Sequence, residues 1–194
     1  MTKETEILNA DNPIISAKCL KDKGFSRYTI EKYLDNQVLQ KLSYGKYCLQ
    51  DNPPDEFSTI QSRSQKIVFS HSTALYLLNL SDRVPITYDI TVPQGYNVQR
   101  IKRDFPSTNF YYSKPELWEL GLETVESPFG FKINVYDKER TILDVIKNKK
   151  RVDYQIYTQT IKEYFNTERN FRKILKYSKL MNMEDKVRAY IEMV

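Results

Sequence analysis

The chain has only five glycines, two cysteines and one histidine in its 194 residues. So few glycines leave no GxGxxG or GxxxxGK phrase, which excludes the glycine-rich phosphate cradles of dinucleotide-binding and P-loop proteins. Cys19 and Cys48 lie far apart with no CxxC pair. That pattern argues against a disulfide framework and suits two core residues of a cytosolic protein. His71, the lone histidine, has no Ser or Cys partner in a nucleophile pattern. At a helix start after a strand it is expected to make a structural hydrogen bond, because a lone titratable side chain is no site by itself. No stretch approaches the ~20 apolar residues of a membrane span, and Met1 to Glu6 lacks the apolar run of a signal peptide. The expectation is a cytoplasmic protein with no membrane partner.

The net charge is +5, unevenly spread. Residues 1–50 carry +2, residues 51–66 carry −1 and residues 67–137 carry −2, whereas residues 138–194 carry 14 Lys/Arg against 8 Asp/Glu. Basic faces raise nonspecific affinity and association rate for nucleic acid, and they are also ordinary solvated helix surface.

The first fifty residues hold the clearest local pattern. Ser16 is a plausible N-cap for a short helix with Ala17 and Leu20 facing inward. Gly24 stands where that helix ends, since glycine takes the left-handed conformation at little cost. Phe25 enters the core, and Ser26 caps a second helix over Arg27–Asn36 that places Ile30 and Leu34 on one face with Tyr33 beside them. Leu39 and Leu42 precede a Ser43-Tyr44-Gly45-Lys46 turn, after which Tyr47 and Leu49 alternate, as in a hairpin. Two short helices joined by a Gly-containing turn and followed by a hairpin read as a winged helix-turn-helix. In that arrangement the second helix enters the major groove of DNA. Arg27 is then placed to pair bidentately with guanine, while Ser26, Tyr28, Thr29 and Lys32 suit base or phosphate contacts. Lys41, Tyr44 and Lys46 project from the wing toward the phosphate backbone.

Asp51-Asn52-Pro53-Pro54-Asp55-Glu56 reads as a linker, because two prolines and three acids neither extend the wing strand nor sit deep in a helix. A larger domain over 57–194 is expected to follow. A helix over Phe57–Lys66 precedes a short apolar strand at 67–69. The phrase Ser70-His71-Ser72-Thr73 caps a helix over Ala74–Leu80. Residues 86–92 alternate with period two and stop at Pro93. Residues 109–112 suit a strand, and strands at 122–126 and 131–136 flank a Ser127-Pro128-Phe129-Gly130 turn. Asp137 caps a helix over 138–147, and helices near 154–166, 168–180 and 184–193 close the chain. The expected class is α+β, an N-terminal winged helix-turn-helix followed by a larger α+β domain with a small mixed sheet and C-terminal helices.

Within the last part, Arg140 and Asp144 are four apart and expected to pair among core-like neighbours. Asp82-Arg83 is placed to cap or to join that network. Asp137-x-Glu139 has the make-up of a nuclease carboxylate pair, but an N-cap and a first-turn acid explain both residues better. Arg169, Arg172, Lys173 and Lys176 are spaced three and four apart as a basic stripe, a candidate contact for flanking DNA or RNA. No catalytic residue, cofactor or metal is expected.

Four phrases carry a resemblance: the winged N-terminus; His71-Ser72-Thr73-Ala74-Leu75-Tyr76-Leu77-Leu78-Asn79-Leu80-Ser81-Asp82-Arg83-Val84-Pro85; the strand ending Thr91-Val92-Pro93; and Val135-Tyr136-Asp137-Lys138-Glu139-Arg140-Thr141-Ile142-Leu143-Asp144. Together, over almost the whole chain, they resemble AbiEi, the antitoxin of the bacterial AbiE abortive-infection toxin–antitoxin system. Lys138 departs from the family, where proline is frequent, and a helix N1 position favours proline without requiring it. The resemblance implies an autorepressor that binds inverted repeats of double-stranded operator DNA through the winged domain. It also implies a C-terminal domain that antagonises an AbiEii-like nucleotidyltransferase toxin without a stable complex (type IV). The alternative is a one-component winged-helix regulator whose larger domain binds a small ligand or a protein.

Overall fold

The computed structural model describes residues 14–166 and 170–192, and the fold is α+β. The chain divides into two units. One holds the residues up to Ser62 with Glu126–Ile133, and the other holds Arg63–Val125 with the residues from Asn134 onward.

In the first unit, local chemistry sets the helix starts. Ser16 accepts from the Cys19 amide at 3.1 Å and opens α1 (Ala17–Asp22), and Ser26 accepts from the Thr29 amide at 3.1 Å and opens α2 (Arg27–Asp35). Each hydroxyl pairs an amide that a helix start leaves without a partner. Gly24 takes φ +82° between the two helices. Three strands follow the cap logic outward: β1 (Ile15–Ser16), β2 (Leu39–Ser43) and β3 (Lys46–Leu49), in the order β1-β3-β2 and antiparallel throughout. The register pairs Leu39 with Leu49, and it shifts between Lys41 and Ser43. Gly45, at φ +68°, turns the hairpin and its carbonyl accepts from the Ala17 amide at 2.8 Å. Ile15, Leu20, Phe25, Ile30 and Leu39 form the buried core of this layer.

The helix expected over 57–66 is shorter, α3 (Glu56–Gln61), capped by Asp55, which accepts from the Ser58 amide at 2.8 Å. The other Asp55 oxygen accepts from the Phe129 amide at 3.4 Å, and Lys46 Nζ donates to the Ser62 hydroxyl at 3.0 Å and to the Ser62 carbonyl. These contacts tie α3 and the 126–133 turn to the rest of the first unit, which runs on to Ser62.

The second unit holds most of a mixed five-stranded sheet, β4 (Val68–Phe69), β5 (Tyr88–Pro93), β6 (Thr108–Ser113), β7 (Leu122–Glu126) and β8 (Lys132–Tyr136), ordered β6-β5-β4-β8-β7, with Glu126, Lys132 and Ile133 grouped with the first unit. β4 runs antiparallel to β5 and parallel to β8, and β5 runs parallel to β6. Helix α4 (His71–Leu77) begins three residues earlier than expected, directly behind β4. Two short helices with no expectation from sequence, α5 (Gln99–Asp104) and α6 (Pro115–Trp118), bracket β6. Asp137 accepts from the Arg140 amide at 2.8 Å and opens α7 (Lys138–Lys147). After a 3₁₀ turn at Lys149–Arg151 come α8 (Tyr154–Asn166), α9 (Phe171–Leu180, capped by Asn170) and α10 (Glu184–Glu192).

α4, α8 and α9 all pack on α7, and α7 is buried from Glu139 to Ile146. Ile142, Leu143, Val145 and Ile146 join Tyr157, Tyr164, Phe165, Ile174 and Val187 in one apolar core. Both cysteines are free. No helix among the described residues is long and apolar enough to cross a membrane.

Candidate nucleic-acid face and a basic cleft

α2 turns Ile30 into the core of its unit and leaves its opposite face to solvent. Tyr28 is 76% exposed, and Lys32 is exposed with no partner among the described residues. Arg27 reaches only Glu31, at 3.0 Å, with a side chain 92% exposed, and an exposed pair of this kind is worth at most about 1 kcal/mol. Ser26 and Thr29 are turned on each other, their hydroxyls 2.8 Å apart. On the hairpin, Tyr44 is 98% exposed and Lys41 is exposed, whereas Lys46 is turned onto Ser62. Arg27, Tyr28, Lys32, Lys41 and Tyr44 are therefore free to meet a partner, while Ser26, Thr29 and Lys46 have structural duties.

The expected basic stripe does not hold together. Arg169 lies outside the described residues. Arg172 and Lys176 are exposed on α9, but Lys173 is drawn inward and bridges Asp137 at 3.1 Å and Glu139 at 2.9 Å. Those carboxylates are buried and need a counter-charge close by. Burial lowers the Lys173 pKa, yet its hydrogen bonds to Glu139 and Asp137 outweigh that and hold it well above the ordinary lysine value. Tyr177 donates to Asp137 at 3.0 Å and Tyr164 to Glu139 at 3.3 Å, so both acids are spent on structure. Among the described residues, no group of three or more His, Cys, Asp or Glu side chains is placed to hold a metal.

Arg140 and Asp144 pair as expected, at 3.1 Å, with side chains 3% and 7% exposed. Arg140 also donates to the carbonyls of Leu117 and, at 3.1 Å, Leu120, and its guanidinium lies 4.4 Å from the Tyr136 ring centre. Gly121 makes room for it: a Cβ there would stand 2.7 Å from the Arg140 Cβ and 3.0 Å from the Asp137 oxygens. Burial pushes the Asp144 carboxyl up, and Arg140 pulls against that. Arg83 is not part of this network and pairs instead with Asp153 at 3.4 Å.

Beside Arg140 the second unit opens a cleft of about 800 Å³. His71 lies in its lining, 1% exposed, and its ring is stacked on Tyr111 with 3.6 Å between centres. The hydrogen bonds around it fix the tautomer. Asn148 Nδ2 is 3.1 Å from the Asp144 carbonyl, which only accepts, so that atom is the amide nitrogen. It then donates to His71 Nε2 at 3.0 Å, which leaves the ring proton on Nδ1, 2.9 Å from the Ser70 hydroxyl. Burial, then the charges of Arg151, Arg140 and Lys147, push the imidazole pKa down to about 3. The expected structural role of His71 thus holds. Lys114, Lys147 and Arg151 also line the cleft. Sequence reasoning did not single them out. The one local signal was the run Lys147-Asn148-Lys149-Lys150-Arg151 inside the basic C-terminal segment.

The sequence matches no family model and no curated protein. Among solved structures, the fold is similar to that of the RV2827C protein from Mycobacterium tuberculosis. The TM-score is 0.54 at 11% identity, and the match covers 97% of this chain and 79% of that one.

Proposed function

We propose that this chain is a cytoplasmic DNA-binding autorepressor that also acts as the antitoxin of a bacterial type IV abortive-infection operon. The observation that carries the DNA-binding half is the outer face of α2, with Arg27, Tyr28 and Lys32 exposed behind the Gly24 turn and the Tyr44 hairpin beside it. In this reading the first unit is a winged helix-turn-helix. α2 enters the major groove, Arg27 leaves Glu31 for a guanine edge, and Lys32, Lys41 and Tyr44 meet phosphates. The antitoxin half rests on the resemblance to AbiEi over the larger unit, which antagonises a nucleotidyltransferase-like toxin without a stable complex and without catalysis of its own.

A gel-shift titration on the inverted repeats of the chain's own promoter tests the first half. Arg27→Ala with Lys32→Ala should weaken binding by roughly tenfold or more at fixed salt, since each lost contact is worth about 1–3 kcal/mol. The circular dichroism spectrum should not change, because both side chains are exposed. Unchanged affinity overturns the groove assignment. Co-expression with the toxin of the neighbouring gene tests the second half, and it fails if growth is not restored.

The cleft supports a second reading, a one-component regulator whose larger unit senses a ligand. Ligand-dependent release of operator DNA, with no rescue from any toxin, would favour it.

A further inference from the structure

Lys114, Lys147 and Arg151 bring three cations into one cleft from the end of β6, the end of α7 and the turn that follows. Among the described residues none of the three has a carboxylate within ion-pair distance. The acids in the lining are Asp144, already matched by Arg140, and Glu116 in an exposed position. Cations gathered in a concave surface focus a positive potential, and an anion relieves their repulsion.

The floor under these cations is built and rigid. Arg140 is 3% exposed and held from several sides, but its Nη2 reaches only the Ser113 hydroxyl at 3.5 Å. One of its N–H groups therefore lacks an acceptor among the described residues. His71 sits at φ +48°, a conformation costly for a residue other than glycine and most often retained near functional sites. It stacks on Tyr111, and the Arg151 guanidinium lies 4.1 Å from the centre of the same ring. Two groups that close cannot share one face, so Tyr111 lies between His71 and the Arg151 guanidinium. A planar, prepositioned guanidinium is the donor best matched to two oxygens of a phosphate. Gln94 and Asn182 add amides to the lining. The volume falls within the range of small-ligand sites.

We propose that this cleft binds a polyphosphate anion, with its phosphates on Lys114, Lys147 and Arg151. Such a site deepens the sensing reading and does not depend on DNA binding.

Isothermal titration calorimetry on the full chain tests it, with ATP, GTP and CTP as ligands and inorganic pyrophosphate and adenosine as the two halves. At least one triphosphate should bind, more tightly than pyrophosphate, and adenosine should bind most weakly. Lys114→Ala with Lys147→Ala should weaken the triphosphate by about tenfold or more. Its unliganded melting midpoint should stay that of the wild type, since both side chains are exposed. Arg27→Ala with Lys32→Ala should bind nucleotide as the wild type does, which separates the site from the DNA face. The proposal is overturned if no triphosphate binds, if the double lysine variant binds as tightly as the wild type, or if that variant loses only affinity for duplex DNA. Operator release then decides the sensing reading separately, with whatever ligand is tried.

Discussion

His71 supplies a measurement with little ambiguity, because it is the only histidine in the chain. Its imidazole is doubly hydrogen-bonded, and burial, then the charges of Arg151, Arg140 and Lys147, push its pKa down to about 3. An unfolded histidine takes its proton near pH 6.5. Above pH 6.5 neither state is charged and the residue adds no pH dependence. As the pH falls from 6.5 toward 3, the unfolded chain binds a proton that the folded chain refuses, and stability drops by about 1.4 kcal/mol per pH unit. At pH 4.5 the loss is about 3 kcal/mol by that slope, a large share of a typical domain's stability. A proton NMR titration of a tag-free sample gives a single imidazole signal, which should stay at its neutral position from pH 8 to 4.5. Urea unfolding across the same range gives the energy. His71→Asn, which tolerates positive φ, should be less stable than the wild type at pH 7.5, with the gap narrowing by about 3 kcal/mol at pH 4.5. A midpoint near 6.5 in the NMR titration, or a gap that does not change with pH, refutes the claim that this site keeps the ring neutral.

Two further perturbations test the packing under the cleft. Arg140→Ala strands a buried carboxylate and should cost about 3–5 kcal/mol in urea unfolding of the larger unit, and Asp144→Asn, which keeps an acceptor for Nε, should cost less. A loss under about 1 kcal/mol for Arg140→Ala would mean that Asp144 is not ionised there. Gly121→Ala should cost about 3 kcal/mol or more, since its Cβ meets Arg140 and Asp137 at a left-handed backbone. Gly95→Ala, left-handed but with open space around it, should cost only about 1 kcal/mol, and equal losses would sink the steric account.

Features that depend on neighbours a few residues away were legible in the sequence. Ser16, Ser26 and Asp137 cap the helices they precede because a cap needs only the amide three positions on. Arg140 and Asp144 pair because four residues is one helical step. α5 and α6 were not legible, because pieces of six and four residues are too short to show a period. Lys173 was read as an outward cation because its spacing matched a stripe. Its partners, Asp137 and Glu139, lie on another helix, and only the packing of α9 on α7 brings them together. The cleft was hidden for the same reason, since Lys114 and Arg151 meet through the sheet and not along the chain. On α2, sequence marked the exposed Arg27, Tyr28 and Lys32, but nothing local showed that Lys46 would be tied to Ser62.

The central strand of the larger sheet has a consequence for how the chain is made. β4 is two residues long and is gripped on one edge by Ile90 and Thr91 and on the other by Val135. On the ribosome its first edge is satisfied early, but its second waits until β8 has emerged and a long loop has closed. Until then the sheet has an open middle, and α7, the helix that the other helices pack on, has not been made. Stalling or truncation before residue 136 should therefore leave a nascent chain with an exposed apolar strand, the kind of species chaperones hold.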